Sequence, residues 1–354
     1  MNAVSEINDR FVRDARPAKN RVDPQIPYTW LVEPEMTAAG VVEDVATIFL
    51  TNRECPFRCL FCDLWKNTTD ERVSVGAIPR QIDHALARLP QSHINPARHI
   101  KLYNSGNFFD RQAIPPEDHA AIARAVATFR TVIVENHPAL CGRACVDFRD
   151  LLHESAKRAS TAIDVRETGA LLVEGPGAAR DDGFMAPQLE VAMGLETVHP
   201  AILPRLNKQM TLDDFRRACE FLASETIALR AFILLKPPFL DESECVEWAI
   251  KSIEFAFECG VRVCSVIPTR AGNGAMELLE RDGRFSPPRL AALEETLARG
   301  IALASTSGRG RVFVDLWDVE RLCECPQCGP QRAARLRQMN LSQRILPAIE
   351  CSCT

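Results

Sequence analysis

The sequence predicts an α/β fold in which six buried strands alternate with helices. Short, continuous apolar runs recur along the chain, and runs of this type are typical of strands that are buried on both faces. Segments with helical periodicity lie between them. This alternation indicates right-handed βαβ units in an open or closed barrel, with a doubly wound sheet as the alternative. The predicted strands are 45–51, 99–105, 131–135, 189–197, 229–236 and 261–268.

The helical segments carry recognisable start and stop signals. Thr211 precedes "LDDF" as a near capping box that ends in Asp214, and a Pro-Pro-Glu-Asp sequence leads into the helix after residue 115. Gly260 follows an apolar helical segment in the position of a C′ glycine. These signals support helices between the predicted strands.

The pattern divides the chain into three parts. Residues 1–45 are rich in Pro and charge, and we expect an N-terminal arm that lies over the body. Residues 46–310 form the core, in which the turn-rich segment 153–188 is too long for a simple connection and is interpreted as an insertion or lid. Residues 311–354 begin with a short apolar run and form a small, cysteine-rich C-terminal module.

Composition excludes several classes of protein. The chain has 354 residues, of which 46% are hydrophobic and 25% charged, so disorder and fibrous repeats are not expected. The net charge of −5 provides no global attraction for nucleic acid or an anionic membrane. We expect a cytoplasmic protein, because the N-terminus lacks the apolar core of a secretory signal and no apolar run reaches membrane-spanning length.

The usage of cysteine indicates metal binding. Fourteen cysteines in a cytoplasmic chain are not expected to form disulfides, and clustered thiols are better interpreted as metal ligands. The isolated ones lie in apolar patterns and are interpreted as small core residues; they are Cys219, Cys245, Cys259 and Cys264.

Three cysteines follow the first predicted strand within eight residues, at Cys55, Cys59 and Cys62. A four-iron cluster normally takes one thiolate per iron, so three ligands would leave one iron open for chemistry. The loop lies at the carboxyl end of its strand, where barrel and open-sheet enzymes build active sites. The alternative is a chance spacing or half of a zinc site, for which Asp63 would be a poor further ligand.

The stretch "CPFRCLFC" resembles the C-x3-C-x-Φ-C signature of the radical S-adenosylmethionine (SAM) enzymes, with Phe61 as the aromatic residue. The resemblance implies a partial (βα)6, TIM-like barrel and a [4Fe–4S] cluster on Cys55, Cys59 and Cys62. SAM would bind the fourth iron and be cleaved reductively to a 5′-deoxyadenosyl radical, with Phe61 near the adenine. An electron donor such as flavodoxin or ferredoxin is implied as a partner.

Other strand ends match the family's SAM-binding positions. The family has a Gly-rich turn after the second strand, whereas this chain has "YNSGNFFD" in place of the usual Gly-Gly-Glu. An ordinary turn or solvated strand ends remain the alternative for these positions. The residues that the resemblance implies as cofactor ligands are Asn104, Ser105, Gly106, Glu135 and Glu196, with Thr197 and Asn273 in the same regions.

Within this superfamily, the chain most resembles the elongator- and methylthiotransferase-like proteins. In particular, it resembles the radical SAM subunit of archaeosine synthase, which acts on a modified guanine in tRNA. The stretches "GLETVHPAILPRLNKQMTLDDF" and "IPTRAGNGAMELL" carry this resemblance together with the cysteine motif. The substrate would then be a tRNA base, with a small metabolite as the alternative. The acidic composition does not support tRNA.

The C-terminal module contains a second group of thiols. "CPQCG" is typical of a zinc knuckle, with Cys325 and Cys328 as ligands, and "CSC" supplies Cys351 and Cys353. Structural zinc is the preferred interpretation, and an auxiliary iron–sulfur cluster or no metal are the alternatives. Cys323 would be spare or would replace one of the four.

Three further groups of residues lie outside these motifs. Cys141 and Cys145 share a helix face and are either metal ligands, a redox pair or small core residues. The basic run is either a solvated helix face or a phosphate patch; it consists of Arg332, Arg335 and Arg337. His99, His137 and His199 have no partnered spacing and are assigned no role.

The sequence therefore predicts a radical SAM enzyme, and the alternative from a different class is a non-catalytic zinc-binding scaffold. The substrate, the fate of SAM and the oligomeric state do not follow from the sequence.

Overall fold

A single eight-stranded sheet, with its strands in chain order, organises the molecule. A computed structural model describes residues 7–90, 97–167 and 186–350. The first two strands are antiparallel, and every later pair is parallel. The strands are β1 (Thr29–Met36), β2 (Val42–Phe49), β3 (His99–Tyr103), β4 (Thr131–Asn136), β5 (Gln188–Glu196), β6 (Ala228–Leu235), β7 (Val263–Pro268) and β8 (Arg311–Val314).

The helices are α1 (Asp9–Asp14), α2 (Ala77–Leu86), α3 (His119–Ala125), α4 (Arg143–Glu167), α5 (Leu212–Ser224), α6 (Glu242–Glu258), α7 (Ala275–Arg281), α8 (Leu290–Ser307) and α9 (Gly329–Ser342). Helices α2 to α8 lie between the parallel strands, as the sequence predicts, while α1 precedes the sheet and α9 follows it. The capping box at Thr211 is present, since its hydroxyl accepts from the Asp214 amide and the Asp214 carboxylate accepts from the Thr211 amide. The α/β class is confirmed, with seven parallel strands.

Strand β1 differs from the expected extended arm. Residues 29–36 pair with β2 from Thr29 opposite Phe49 to Met36 opposite Val42. Pro34 and the charges of this segment obscure the strand in the sequence, but an edge strand tolerates Pro because one side needs no ladder hydrogen bonds. The arm is therefore partly built into the sheet.

The sheet curls, and charged residues on its inner face demonstrate this. Glu35 on β1 lies 2.6 Å from Lys101 on β3 and 2.6 Å from Arg230 on β6, although these strands are not neighbours in the sheet. Arg230 also lies 2.6 Å from Glu190 on β5. Burial alone would raise the pKa of Glu35, but the two cations outweigh it and hold that pKa well below its usual range. The polar inner face is thus a paired ion cluster.

The outer face carries the apolar core. Fully buried side chains such as Ile48, Ile100 and Leu102 pack against the surrounding helices, because the pleat sends alternate residues to opposite faces. None of the helices in the described ranges is long and apolar enough to cross a membrane.

The C-terminal segment is joined closely to this core. β8 pairs with β7, and α9 packs against both β8 and β1. The Asn340 side chain exchanges two hydrogen bonds with the backbone of Val314, at 3.0 and 2.8 Å. The sequence places this strand in a separate module, whereas the structure places it in the main sheet. Of the expected insertion at 153–188, residues 153–167 continue α4, and 168–185 lie outside the described residues.

Candidate active site

The three-cysteine loop leaves the carboxyl end of β2 and is held there by backbone contacts. The Leu50 amide donates to the Tyr103 carbonyl at the end of β3, 2.7 Å away. Within the loop, the Cys62 amide donates to the Cys59 carbonyl at 3.2 Å, and the Leu60 amide donates to the Leu206 carbonyl at 2.9 Å. The structure therefore places the loop over the carboxyl ends of the strands, as the sequence predicts.

The three thiols are close enough to influence one another. Burial raises the pKa of Cys59 to about 12, although the Lys208 ammonium acts to lower it. Burial also raises the pKa of Cys62, and the charges of Cys59, Asp63 and Cys55 add to this. Asn107 donates its amide to the Cys55 sulfur at 3.1 Å. Because metal binding requires thiolates, a bound metal must offset the cost of ionising these groups.

Three thiols on one loop are a donor set of the kind that holds an iron–sulfur cluster. Among residues 7–90, 97–167 and 186–350, no three His, Cys, Asp or Glu side chains converge on one metal-ion position. A four-iron cluster binds each thiolate at a separate iron, so convergence on one point is not required. Gly106 packs closely on this loop, because a Cβ added there would lie only 3.2 Å from the Cβ of Cys55. The turn after β3 can therefore approach the loop closely.

That turn carries polar groups suited to a ligand. Both side-chain amide atoms of Asn104 are buried and have no hydrogen-bond partner among the described residues. Such orphaned groups in a native interior call for a bound partner. Ser105 is buried and has φ of 51°, a left-handed conformation that is uncommon outside glycine. Strain of this kind concentrates at functional sites.

Glu135 holds the same turn from β4. Its carboxylate accepts from the amides of Asn104, at 2.6 Å, and Gly106, at 3.3 Å. Burial raises the pKa of Glu135 to about 7, against the lowering effect of these backbone donors. The structure therefore gives this carboxylate a partner within the chain, which the sequence could not indicate.

Glu196 also has a partner that sequence reasoning missed. Its carboxylate lies 2.6 Å from the Lys208 ammonium, and both side chains are buried. Burial disfavours the charged form of Lys208 and so lowers its pKa, but the negative charges of Glu196 and Cys59 outweigh this effect and raise the pKa overall. The pair lies over Gly194, because a Cβ there would overlap with Glu196 Oε1 and lie 2.5 Å from Lys208 Nζ. The sequence does not indicate this pairing, because no motif spacing connects Glu196 to the lysine twelve residues after it.

The segment that carries Lys208 is fastened to the cysteine loop. Asn207 has φ of 51°, and its amide donates to the Arg58 carbonyl at 2.7 Å. The His137 Nε2 lies 3.1 Å from the Lys208 carbonyl, and the Phe57 ring stacks on the imidazole with centroids 3.8 Å apart. His137, to which the sequence assigns no role, thus links β4 to the loop.

Asn273 and Phe61 tie the loop to the last parallel strands. Asn273 donates to the carbonyls of Leu60 and Cys62, at 2.8 and 3.1 Å, and accepts from the Met276 amide at 2.8 Å. Phe61 is half-buried against the apolar cluster formed by α1 and α7. Thr197 is buried, and its hydroxyl accepts from the His199 amide at 3.1 Å. The predicted site residues therefore surround one loop.

The second group of cysteines lies only partly within the described residues. Cys325 and Cys328 flank the start of α9, and Gly329 there packs against Cys323, since an added Cβ would lie 2.6 Å from the Cys323 Cβ. Cys351 and Cys353 lie outside the described residues. The predicted four-thiolate site therefore stays a prediction.

The basic run beside these cysteines is not an open patch. Arg332 and Arg335 both pair with Glu294, and Arg335 is 9% exposed and donates to the Pro347 carbonyl at 2.7 Å. Arg337 lies 3.0 Å from Glu320. Arg332 and Arg335 therefore fasten α9 to α8, whereas Arg337 remains exposed.

Cys141 and Cys145 meet at the start of α4. Each thiol interacts with the other, and the Cys141 sulfur lies 3.4 Å from the Met193 sulfur and 3.5 Å from the Asn136 amide. Cys145 is fully buried in the apolar core. The contact between the two thiols is compatible with a redox pair as well as with small core residues, so the choice between these interpretations stays untested.

The chain matches no protein-family model. It is 24% identical over 328 residues to archaeosine synthase subunit beta of Methanosarcina acetivorans. The matched region covers 89% of this chain and 84% of that protein. It is 23% identical over 326 residues to an uncharacterised protein of Methanocaldococcus jannaschii, covering 87% and 79%.

Solved structures show partial likeness. Streptococcus suis SuiB bound to S-adenosylmethionine has a TM-score of 0.47 and 11% identity, covering 78% of this chain and 51% of that one. Methanocaldococcus infernus Elp3 has a TM-score of 0.45 and 12% identity, covering 74% and 58%. The two archaeosine synthase relatives match 89% and 56% of this chain, and the three-thiol loop lies at the carboxyl end of a parallel strand. These findings support the radical SAM superfamily of enzymes for this chain.

Proposed function

We propose that this protein holds a [4Fe–4S] cluster on Cys55, Cys59 and Cys62 and uses it on S-adenosylmethionine. When bound, such a cluster supplies one electron for the reductive cleavage of SAM to methionine and a 5′-deoxyadenosyl radical. The observation that carries the proposal is the set of three mutually interacting thiols on a loop fixed over the carboxyl ends of the strands.

The surrounding residues would bind and orient SAM. The orphaned amide of Asn104 and the backbone of Ser105 and Gly106 form a polar turn next to Cys55. Glu135 fixes this turn from below through two amides. The Glu196–Lys208 pair lies at the carboxyl end of β5, and both side chains are buried. Such preorganised polar groups lower the cost of orienting a charged ligand.

The inner face of the sheet offers a place for a planar substrate. The ring centroid of Tyr103 lies 6.1 Å from that of Phe49 and 6.1 Å from that of Phe232, and the Tyr28 centroid lies 5.4 Å from that of Phe49. These rings are half-buried, whereas the ion cluster around Arg230 fills the neighbouring layer. Aromatic side chains stack well on nucleobases. Together with the archaeosine synthase relatives, this favours a tRNA base over a small metabolite as substrate.

The relatives also support an assembly with other proteins. Two of them are named as the beta subunit of archaeosine synthase, so we propose that this chain acts as a subunit beside a second protein. An electron donor such as flavodoxin or ferredoxin completes the proposed set of partners. For the C-terminal cysteines, we keep structural zinc on Cys325, Cys328, Cys351 and Cys353 as the proposal.

Metal analysis after anaerobic reconstitution tests the function. We expect about four irons per chain in the wild type. The triple variant Cys55→Ala, Cys59→Ala, Cys62→Ala should lose them. The control removes three buried thiols elsewhere, Cys145→Ala, Cys245→Ala and Cys264→Ala, and should keep the iron.

Reduced, reconstituted protein with SAM should then release 5′-deoxyadenosine, and more of it when the substrate is added. A colourless protein that binds zinc alone would refute the enzyme and favour the zinc-binding scaffold. Equal iron in both triple variants would refute the ligand assignment.

A further inference from the structure

Two arginines lie over one phenylalanine ring beside the cysteine loop. The guanidinium carbon of Arg205 is 3.5 Å from the centroid of Phe239, and that of Arg284 is 4.9 Å from the same centroid. Arg205 is exposed, whereas Arg284 and Phe239 are half-buried. We name these three residues the arginine pair site.

The site belongs to the carboxyl side of the sheet. Arg205 lies in the 3-10 turn Leu203–Leu206 that follows β5, and Phe239 follows β6. The next residue after Arg205 is Leu206, whose carbonyl accepts from Leu60 of the cysteine loop. Phe239 packs on the same apolar cluster as Phe61. The arginine pair site therefore borders the candidate active site.

The positive charge of the site is not neutralised within the chain. In the part of the chain that the structure describes, neither Arg205 nor Arg284 has a carboxylate within 4.0 Å or a side-chain hydrogen bond. Most other arginines near the loop are paired, for example Arg58 with Glu54 and Arg270 with Asp315. Two like charges kept close together cost free energy unless an anion joins them. The arrangement is therefore suited to an anionic ligand.

Stacking leaves the hydrogen-bonding edges of the two groups free. A guanidinium that lies over an aromatic face uses its own flat face for the contact, while its N–H groups point outwards in the plane. Phe239 has φ of 75°, and its amide donates to the Arg284 carbonyl at 2.9 Å, so the ring is fixed between the two segments. Planar N–H forks of this kind match the geometry of phosphate oxygens.

We propose that Arg205 and Arg284 bind a backbone phosphate of an RNA substrate and thereby direct one base toward the inner face of the sheet. This inference rests on the proposed function, since it needs a substrate base that reacts at the cysteine loop. It also reconciles an acidic chain with RNA, because a local pair of cations suffices to hold one phosphate although the net charge is −5.

Fluorescence anisotropy with a fluorescein-labelled, unmodified tRNA transcript tests the proposal. We expect Arg205→Gln with Arg284→Gln to weaken binding about tenfold or more at 0.1 M salt, since both charge-assisted contacts to the phosphate are lost. The slope of log affinity against log salt should become shallower by about 1 to 2. The matched control, Arg158→Gln with Arg321→Gln, removes two cations that are each 78% exposed and should change neither quantity appreciably.

Two further variants separate geometry from charge. Arg205→Lys with Arg284→Lys keeps both charges but loses the planar forks, so the salt slope should recover while the affinity recovers only in part. Phe239→Leu keeps both arginines but removes the ring that orients them, and it should weaken binding at an unchanged salt slope. All variants are checked for wild-type circular dichroism and thermal unfolding.

Each outcome decides the matter. Wild-type affinity in the Arg205→Gln, Arg284→Gln variant, or equal losses in the control, would overturn the site. Binding of guanosine 5′-monophosphate without binding of the transcript would overturn the assignment to RNA. Arginine-dependent RNA binding by a protein that releases no 5′-deoxyadenosine would leave this inference standing and reject the proposed function, whereas the converse would reject the inference alone.

Discussion

The buried ion pair between Glu196 and Lys208 provides the sharpest test of the site's architecture. The two charged atoms are 2.6 Å apart, which corresponds to a Coulomb attraction of about 6 kcal/mol at an effective dielectric constant of about 20. Replacing Lys208 by Met leaves the Glu196 carboxylate buried and unpaired. Because breaking one side of a buried pair costs about 3–5 kcal/mol, we predict a loss of this size in the free energy of unfolding.

Urea unfolding of the metal-free protein, followed by tryptophan fluorescence, measures this loss. The variant Glu196→Gln should also be destabilised, because it leaves the Lys208 ammonium buried. The double variant should lose less than the sum of the two, with a coupling of about 2–3 kcal/mol. The control is Lys251→Met, whose ammonium is half-exposed and 3.9 Å from Glu247, and which should cost less than about 1 kcal/mol.

The reasoning would be wrong if Lys208→Met cost no more than Lys251→Met. It would also be wrong if the two changes at the pair were additive, since independent sites add and a direct pair does not.

Three other predictions follow from the same structure. Gly194→Ala should displace the buried pair and reduce bound iron and stability, whereas Gly142→Ala, where an added Cβ meets nothing within 4 Å, should be neutral in both assays. Arg230→Met should cost about 3–5 kcal/mol in urea unfolding, because it removes the Arg230 partner of the buried Glu190 and leaves Glu35 with Lys101 alone, whereas the exposed Arg216→Met should cost less than about 1 kcal/mol. The pKa of Glu135 in the folded protein is about 7, above its ordinary value of 4.5. The protonated carboxyl group therefore adds to the free energy of unfolding in full below pH 4.5, and this stabilisation is lost as the pH rises through 7. The stability of Glu135→Gln relative to wild type should therefore rise by up to about 3 kcal/mol from pH 4.5 to 8; a pH-independent difference would contradict this.

Much of the fold was predictable because its signals are local. The six apolar runs became β2 to β7, since short continuous apolar segments identify strands that are buried on both faces. The strand at Thr29–Met36 was missed because its Pro34 and its three charged or polar neighbours are tolerated only at the sheet edge. Edge position is a property of the assembled sheet.

In the candidate site, too, some features are visible in the sequence and others only in the folded chain. The spacing of Cys55, Cys59 and Cys62 is written in the sequence, and so is their place after a strand. The partners of Glu135 and Glu196 are not, because the Asn104 amide and the Lys208 ammonium reach them only through the folded chain. Arg205 and Arg284 are 79 residues apart and carry no shared pattern.

The sequence by itself determined the class of this protein: three thiols on one loop after a buried strand, within a regular alternation of strands and helices. The tertiary structure alone decided which charges face one another, at the Glu196–Lys208 pair, in the ion cluster of Arg230 and beside Phe239. The physical reason is how far apart along the chain the interacting residues lie. Strand and helix formation depends on neighbours a few residues away, whereas the pairing of charges depends on how the sheet curls and brings distant strands together.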